Sequence, residues 1–405
     1  MKDAVKNLLN DLLSRCISQD ASDLHLAPDE PPSLRVEGLL VRLDQPALSG
    51  PQVEELARHL LNVSGADGLD EKGSADGAFS FPEGTGGSRF RFNVFRSQGQ
   101  LAVAVRRLED RLRSLGELGM PESLYQLADL RDGLVIVCGP TGSGKSTTLA
   151  ALIDRINQTR PAHIITLEDP VEYLHRPARS VVNQRQIGTD APSFNDALVA
   201  SLRQDPDVIL VGEIRDLATI RTAITAAETG HLVFTTVHAG DCAGAVERLV
   251  AVFPAEEQDA VRRQVALVLR AVVSQHLLPI LEQDTAMQDT GSIRSLPAVV
   301  PSGLPQERRR IVASEIMLGT PAISNLIATG KAAQIYSVLE SGHAAGMQTL
   351  EQDLARLCAN RLISEATAFA MARNVQVFRD RLALARRKRG DGDHDVADHK
   401  SRRHG

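Results

Sequence analysis

Residues 136–152 read IVCGPTGSGKSTTLAAL, and how this stretch is read decides the fold. From Gly139 to Ser146 it satisfies G-x-x-x-x-G-K-[ST] at every fixed position, with Gly139, Pro140, Thr141, Gly142, Ser143, Gly144, Lys145 and Ser146 in order. Glycines let a loop turn its N–H groups inward around phosphate oxygens. A helix that starts at the end of such a loop points its N-terminal dipole at them. In that geometry Lys145 reaches the β- and γ-phosphates, Ser146 offers a hydroxyl to Mg²⁺, and Thr147 extends the nucleotide-binding set. The context fits. Apolar LVIVC (134–138) precedes the loop, and Leu149, Leu152, Ile153 and Ile156 follow at helical spacing. ATP and Mg²⁺ are the expected ligands.

Working outward, three more apolar runs resemble 134–138: HIITL (163–167), VILV (208–211) and LVFTTV (232–237). Each ends in a polar or Gly-rich group, and helical stretches separate them. Continuous apolar strands alternating with helices predict a mainly parallel sheet covered on both faces, an α/β fold. Ligands gather at the carboxyl ends of such strands.

Those ends carry the chemistry. In DPDVILVGEIRD (205–216), Glu213 stands just past the strand, where a phosphate-loop ATPase places an acid that aligns water or holds Mg²⁺. In IITLEDPVEYLH (164–175), Glu168, Asp169 and Glu172 crowd one strand end, and like charges so placed repel unless a cation offsets them. A plainer reading has Asp169 capping a helix that begins at Pro170. In TGHLVFTTVHAG (229–240), His231 and His238 flank the fourth strand and are candidates to sense the γ-phosphate; a structural role is the alternative.

Before the phosphate loop, residues 1–17 form an amphipathic helix with Val5, Leu8, Leu9, Leu12 and Cys16 on one face. DLHLAP, SLRVEGLLVRL, AFSFPE and RFRFNVFRSQGQLAVAVRRL then read as strands of a small N-terminal α/β domain over 1–110. A linker over 111–122 leads into the nucleotide domain, 123–385. VALVLRAVVSQHLLPI (265–280) carries Arg270 and His276 and reads as a core helix rather than a membrane span. Residues 282–308, with three prolines, read as a mobile insertion, and 312–385 as mostly helical. The charged stretch 386–405 reads as a disordered tail.

Composition narrows the partners. The chain has 405 residues, 43% of them apolar, and a net charge of −6. An acidic balance argues against nucleic acid as the partner. Four scattered cysteines, Cys16, Cys138, Cys242 and Cys358, form no C-x-x-C pair, which argues against a disulfide scaffold or a Cys-type zinc site. Lacking a signal-peptide pattern, the protein is expected in the cytoplasm, reaching a membrane only through a partner.

Taken together, GPTGSGKSTT, ITLEDPVEY, DPDVILVGEIRD and TGHLVFTTVHAGDCAGAVERL, in this order, resemble the motifs of the secretion ATPase superfamily, the hexameric motors of type IV pili and type II secretion. ASDLHLAPDEPPSLRVEGLL resembles that family's small PAS-like sensor domain, and residues 313–357 resemble the C-terminal region of its PilT-type retraction members. The resemblance implies a RecA-like nucleotide domain, a homo-hexamer and an inner-membrane pilus platform protein as target, so that the chain works at the inner face of the cytoplasmic membrane. A paralogous retraction ATPase is a further candidate partner. It also implies that Arg91 and Arg106, and less directly Arg89, approach the phosphates. Pilus retraction is the favoured activity; pilus extension, type II secretion and a nucleic-acid-driven ATPase are the alternatives. One departure stands out: Ser324 occupies a position where the retraction members usually have arginine.

Overall fold

The computed structural model describes residues 2–36, 38–64, 69–82, 87–108, 111–281 and 310–387. The insertion expected at 282–308 and the tail beyond 387 lie outside the described residues.

The chain begins with α1 (Lys2–Ser18), β1 (Asp23–Leu26), β2 (Ser33–Val36), β3 (Leu39–Arg42), α2 (Gly50–Ser64), the short α3 (Leu69–Lys72), β4 (Ser74–Phe81), β5 (Ser88–Ser97) and β6 (Gln100–Arg107). The strands form one antiparallel six-stranded sheet in the order β3-β2-β1-β6-β5-β4. Both longer helices are amphipathic for a visible reason. Leu9, Leu12, Leu13 and Cys16 of α1, and Val53, Leu56, Ala57 and Leu60 of α2, repeat at helical spacing and bury together over the sheet. Strand β5 alternates instead: Phe90, Phe92 and Val94 point into that core, so Arg89, Arg91 and Asn93 take the other face. Across this face Arg91 pairs in register with Arg106 of β6.

After a 3₁₀ turn over Glu122–Asp129 come β7 (Gly133–Cys138), α4 (Lys145–Thr159), β8 (His163–Glu168), β9 (Val181–Gln186), α5 (Phe194–Ser201), β10 (Val208–Val211), α6 (Leu217–Glu228), β11 (Leu232–Val237), α7 (Cys242–Ala251), α8 (Ala255–Val268), β12 (Leu269–Pro279) and β13 (Arg310–Leu318). The chain closes with α9 (Pro321–Ala328), α10 (Ile335–Ser341), α11 (Leu350–Ala359), α12 (Glu365–Met371) and a helical stretch over 375–387. The second sheet has the order β13-β12-β7-β11-β10-β8-β9. Parallel pairing is found for β12 with β7, β7 with β11, β10 with β8 and β8 with β9; β13 runs antiparallel to β12. By compactness the chain divides into Met1–Leu112 with Asn157–Gly212, and Arg113–Ile156 with Glu213–Gly405.

The four expected strands are β7, β8, β10 and β11, and the expected α/β class is present. Every residue of β7, β10 and β11 is buried, at roughly 1.5–3 kcal/mol per large apolar side chain. Two readings fail. Residues 265–280 are not a core helix: α8 stops at Val268, where Leu269 turns to extended backbone, and the remainder is β12. A run buried on both faces shows no periodicity that separates helix from strand, and β-branched Val272 and Val273 favour the strand between β7 and β13. The segment 312–385 is mostly helical as expected, although it opens with strand β13. No helix starts at Pro170; residues 169–180 are loop.

Candidate functional site

Residues 139–144 connect the end of β7 to the first turn of α4. The loop is shaped by backbone demands that other residues cannot meet. Gly139 and Gly144 have φ of 144° and 87°, where an L side chain is strained. At Gly139 a Cβ would stand 2.3 Å from the Gln275 carbonyl oxygen. Ser143 N–H donates to the Pro140 carbonyl at 3.2 Å, and Thr148 N–H to that of Gly144 at 3.0 Å, the latter an early bond of α4. Lys145 Nζ bridges the loop, donating to the carbonyls of Gly139 at 3.2 Å and Pro140 at 3.1 Å. Pro140, Thr141, Gly142 and Ser146 are exposed, Ser143 is buried, and Lys145 and Thr147 are half-buried. An exposed turn of N–H groups, a lysine and a helix N-terminus together form an anion cradle.

His238 lies at the same end. Strand β11 pairs in parallel with β7 from Leu232 opposite Gly133 to Val237 opposite Cys138, so His238 follows β11 just as Gly139 follows β7. Its imidazole is held below the usual histidine range by burial first, then by the charges of Lys145 and Arg215, with Glu213 opposing. It is therefore neutral at pH 7 and able to donate from one ring nitrogen. Glu213 is within that electrostatic neighbourhood, half-buried, and paired with Arg215 at 2.8 Å. Ile214 N–H, donating to the Thr236 carbonyl at 3.3 Å, ties the Glu213 loop to β11.

His231 is placed elsewhere. It precedes β11, level with the start of β7, so the whole length of the strand separates it from the phosphate loop of its own chain. Its Nδ1 is 3.0 Å from the Ala226 carbonyl and its backbone N–H donates to the same oxygen at 3.2 Å, closing the end of α6. The expectation that both histidines watch one γ-phosphate is thus corrected within a chain: a six-residue strand spans roughly 20 Å, and only His238 stands at the loop.

The acidic segment is ordered around Glu168. Thr166 Oγ1 donates to its carboxylate at 2.7 Å, Gln184 Nε2 at 3.3 Å and Glu172 N–H at 3.5 Å. Burial nevertheless wins, and the Glu168 carboxyl is raised above its ordinary range. Gly212 N–H donates to the Leu167 carbonyl at 2.8 Å, which fixes β10 beside this segment one residue before Glu213. Asp169 is exposed and Glu172 half-buried. Arg89 reaches this loop: its Nη2 donates to the Val171 carbonyl at 2.9 Å. Arg91 instead pairs with Asp76 at 3.6 Å and Arg106 with Asp23 at 2.8 Å.

A nucleoside triphosphate fits this donor set, and Mg²⁺ fits with it. Ser146 would offer such a hard cation a hydroxyl and Glu213 a carboxylate. Among the described residues no group of three or more His, Cys, Asp or Glu converges into a protein-only metal cage. No helix among them is long and apolar enough to cross a membrane.

Sequence patterns alone do not reveal the supports behind the site. Ser274 Oγ of β12 donates to the Gly240 carbonyl at 3.1 Å, and the Arg373 guanidinium bonds the same oxygen while pairing with buried Glu315 at 3.0 Å. Gln275, the next residue of β12, donates to the Ser143 carbonyl at 2.7 Å. None of these belongs to a recognisable motif; the one hint was a polar Ser-Gln pair inside an apolar run.

The chain is similar to several known proteins. The family described as "Type II/IV secretion system protein" matches residues 1–367. The type IV pilus retraction ATPase PilT of Pseudomonas aeruginosa is 42% identical over 370 residues, 91% of this chain and 99% of PilT. The type IV pilus ATPase PilU of the same organism is 34% identical over 383 residues, 95% of this chain and 93% of PilU. A crystal structure of the pilus retraction motor PilT with bound ADP superimposes with a TM-score of 0.76 at 37% identity, covering 91% of this chain and 97% of that one.

Proposed function

The chain belongs to the type II/IV secretion system protein family, and from that membership we propose that it is the motor that retracts a type IV pilus. It is an ATPase. The loop 139–147 holds the triphosphate, with Lys145 on the β- and γ-phosphates. Ser146 would hold Mg²⁺ with help from Glu213, and the ion would supply charge neutralisation at the phosphates. Glu213 aligns the attacking water. Glu168 and Glu172 support the water or the metal, and neutral His238 donates to the γ-phosphate and registers its loss. A contact made with ATP and lost with ADP biases a conformational equilibrium by the difference in its energy.

Six copies form the working ring. The domains are 1–110 and 123–385, joined by the linker 111–122. The ring stands in the cytoplasm against an inner-membrane pilus platform protein and withdraws pilin subunits from the fibre base. The observation that carries the reading is the meeting of Lys145, Glu213 and His238 at the carboxyl ends of adjacent parallel strands. Similarity to PilU along 95% of the chain, with Ser324 in place of an arginine, supports a second reading: an accessory retraction motor working beside a paralogue.

A clean deletion tests the function. Hyperpiliated cells that do not twitch are expected for the principal motor; hyperpiliation absent but retraction force reduced supports the accessory reading. Bald cells would assign the chain to pilus extension and overturn both.

A further inference from the structure

We propose that Gln275 is a positioning residue for the phosphate loop: its carboxamide fixes the Ser143 peptide so that the loop presents its N–H groups to the nucleotide. The proposal rests on the reading of residues 139–147 as the phosphate cradle.

Strand β12 lies beside β7 in parallel register, with Ser274 opposite Cys138, the last residue of β7. Gln275 is therefore level with the start of the loop, and it is fully buried. It abuts the loop in three places. Its Nε2 donates to the Ser143 carbonyl at 2.7 Å. Its own carbonyl oxygen lies 2.3 Å from the place a Cβ on Gly139 would take, and its Nε2 lies 3.3 Å from the corresponding place on Gly144. A trans peptide is planar, with C=O and N–H pointing in opposite directions. Drawing the Ser143 oxygen toward β12 therefore turns the Gly144 N–H away from β12. One side chain thus sets the orientation of a donor at the centre of the cradle.

The same residue is a poor core residue. Its Oε1 is buried with no hydrogen-bond partner among the described residues, a cost that an apolar side chain of equal size would not carry. A Gln275→Met variant separates the two roles, because it keeps the volume and removes both the donor to the Ser143 carbonyl and the unpaired Oε1. Full-length wild type, Gln275→Met, Gln275→Glu and Lys145→Ala are compared for equilibrium ATP and ADP binding, and for melting temperature without nucleotide. In Gln275→Met the loss of the unpaired Oε1 offsets the freed Ser143 carbonyl, so it is expected to melt near the wild-type temperature while both dissociation constants rise about five- to twentyfold. Gln275→Glu can donate only when protonated, so its affinity is expected to weaken as pH rises, and it serves as the readout should the Met variant not fold. Affinity within twofold of wild type in Gln275→Met or in Gln275→Glu at high pH, while Lys145→Ala loses binding, overturns the role of Gln275 and leaves the loop assignment standing. Undiminished binding by Lys145→Ala overturns the loop assignment and the proposal with it.

Discussion

Arg215 holds the carboxylate of Glu213 at 2.8 Å from two residues further along the same loop. The pair is part-exposed, so its contribution to stability is small, on the order of 0–1 kcal/mol. The guanidinium tethers the carboxylate on a loop that the Ile214 N–H ties to β11. Glu213→Gln keeps the shape and removes the charge. Its turnover should fall roughly 10²–10³-fold, the scale lost with a positioned general base, while ADP affinity stays within about threefold of wild type. Steady-state hydrolysis beside equilibrium binding checks this. Unchanged turnover would turn the chain into a scaffold that uses nucleotide only to assemble.

Arg91 and Arg106 face each other across β5 and β6, but their partners differ in burial. Asp76, beside Arg91 at 3.6 Å, is exposed. Asp23, which Arg106 meets at 2.8 Å, is buried. Burial alone would raise the Asp23 carboxyl, and hydrogen bonds from Arg106 and Ser22 outweigh it and hold the group below its usual range. Arg106→Ala therefore leaves a buried carboxylate short of a partner, costing about 1–2 kcal/mol and a few degrees of melting temperature. Arg91→Ala should leave the melting temperature within about 2 °C. A loss of turnover in Arg91→Ala at unchanged stability would then report a contact with phosphate.

His175 gives the fold a dependence on acid. It is buried, with no partner for Nδ1 among the described residues, and burial pushes its imidazole down to about 4. The unfolded chain holds that proton from about pH 6.5 downward, so the native state binds fewer protons between the two values. Stability is then full above pH 6.5 and is lost as pH falls toward 4, by on the order of 2–3 kcal/mol from this one group. His175→Leu should flatten that limb. Melting temperatures at pH 7.5 and 5 measure it: the wild type should lose more than the variant over the interval.

The legible and illegible parts of the chain differ in how much local chemistry constrains them. β7, β8, β10 and β11 are short apolar runs, each ended by glycine or a polar residue, and a parallel strand buried on both faces has few other sequences available to it. The phosphate loop was legible because its glycines answer a backbone requirement that Gly139 and Gly144 show directly. β12 was misread because Arg270 and His276 interrupt an apolar run at no definite period; in the fold Arg270 marks the strand's start, reaching Asp132 at 2.6 Å. β9, VVNQRQ, is a sheet edge whose mostly polar residues carry no burial signal. Gln275, Ser274 and Arg373 act through carbonyl oxygens of other loops, and a sequence pattern does not encode which carbonyl a side chain will meet.

The two histidines separate by a single strand length, which makes them a direct test of the site. His238 follows β11 at the phosphate-loop end, neutral at pH 7. A neutral donor aimed at developing phosphate charge is worth about 10–10³ in rate, so His238→Ala should lower turnover in that range with little effect on ADP affinity. The depressed imidazole also sets a pH signature. Its second ring nitrogen takes up a proton only below the ordinary histidine range, so the wild-type turnover should show no inflection near pH 6.5 from this group. His231 holds the end of α6 through the Ala226 carbonyl. His231→Ala should cost about 1 kcal/mol of stability and leave turnover per ring within about twofold. If His231→Ala abolishes hydrolysis in intact rings, a neighbouring chain's nucleotide must be reaching that end of β11, and the sensor would have to be shared between two copies.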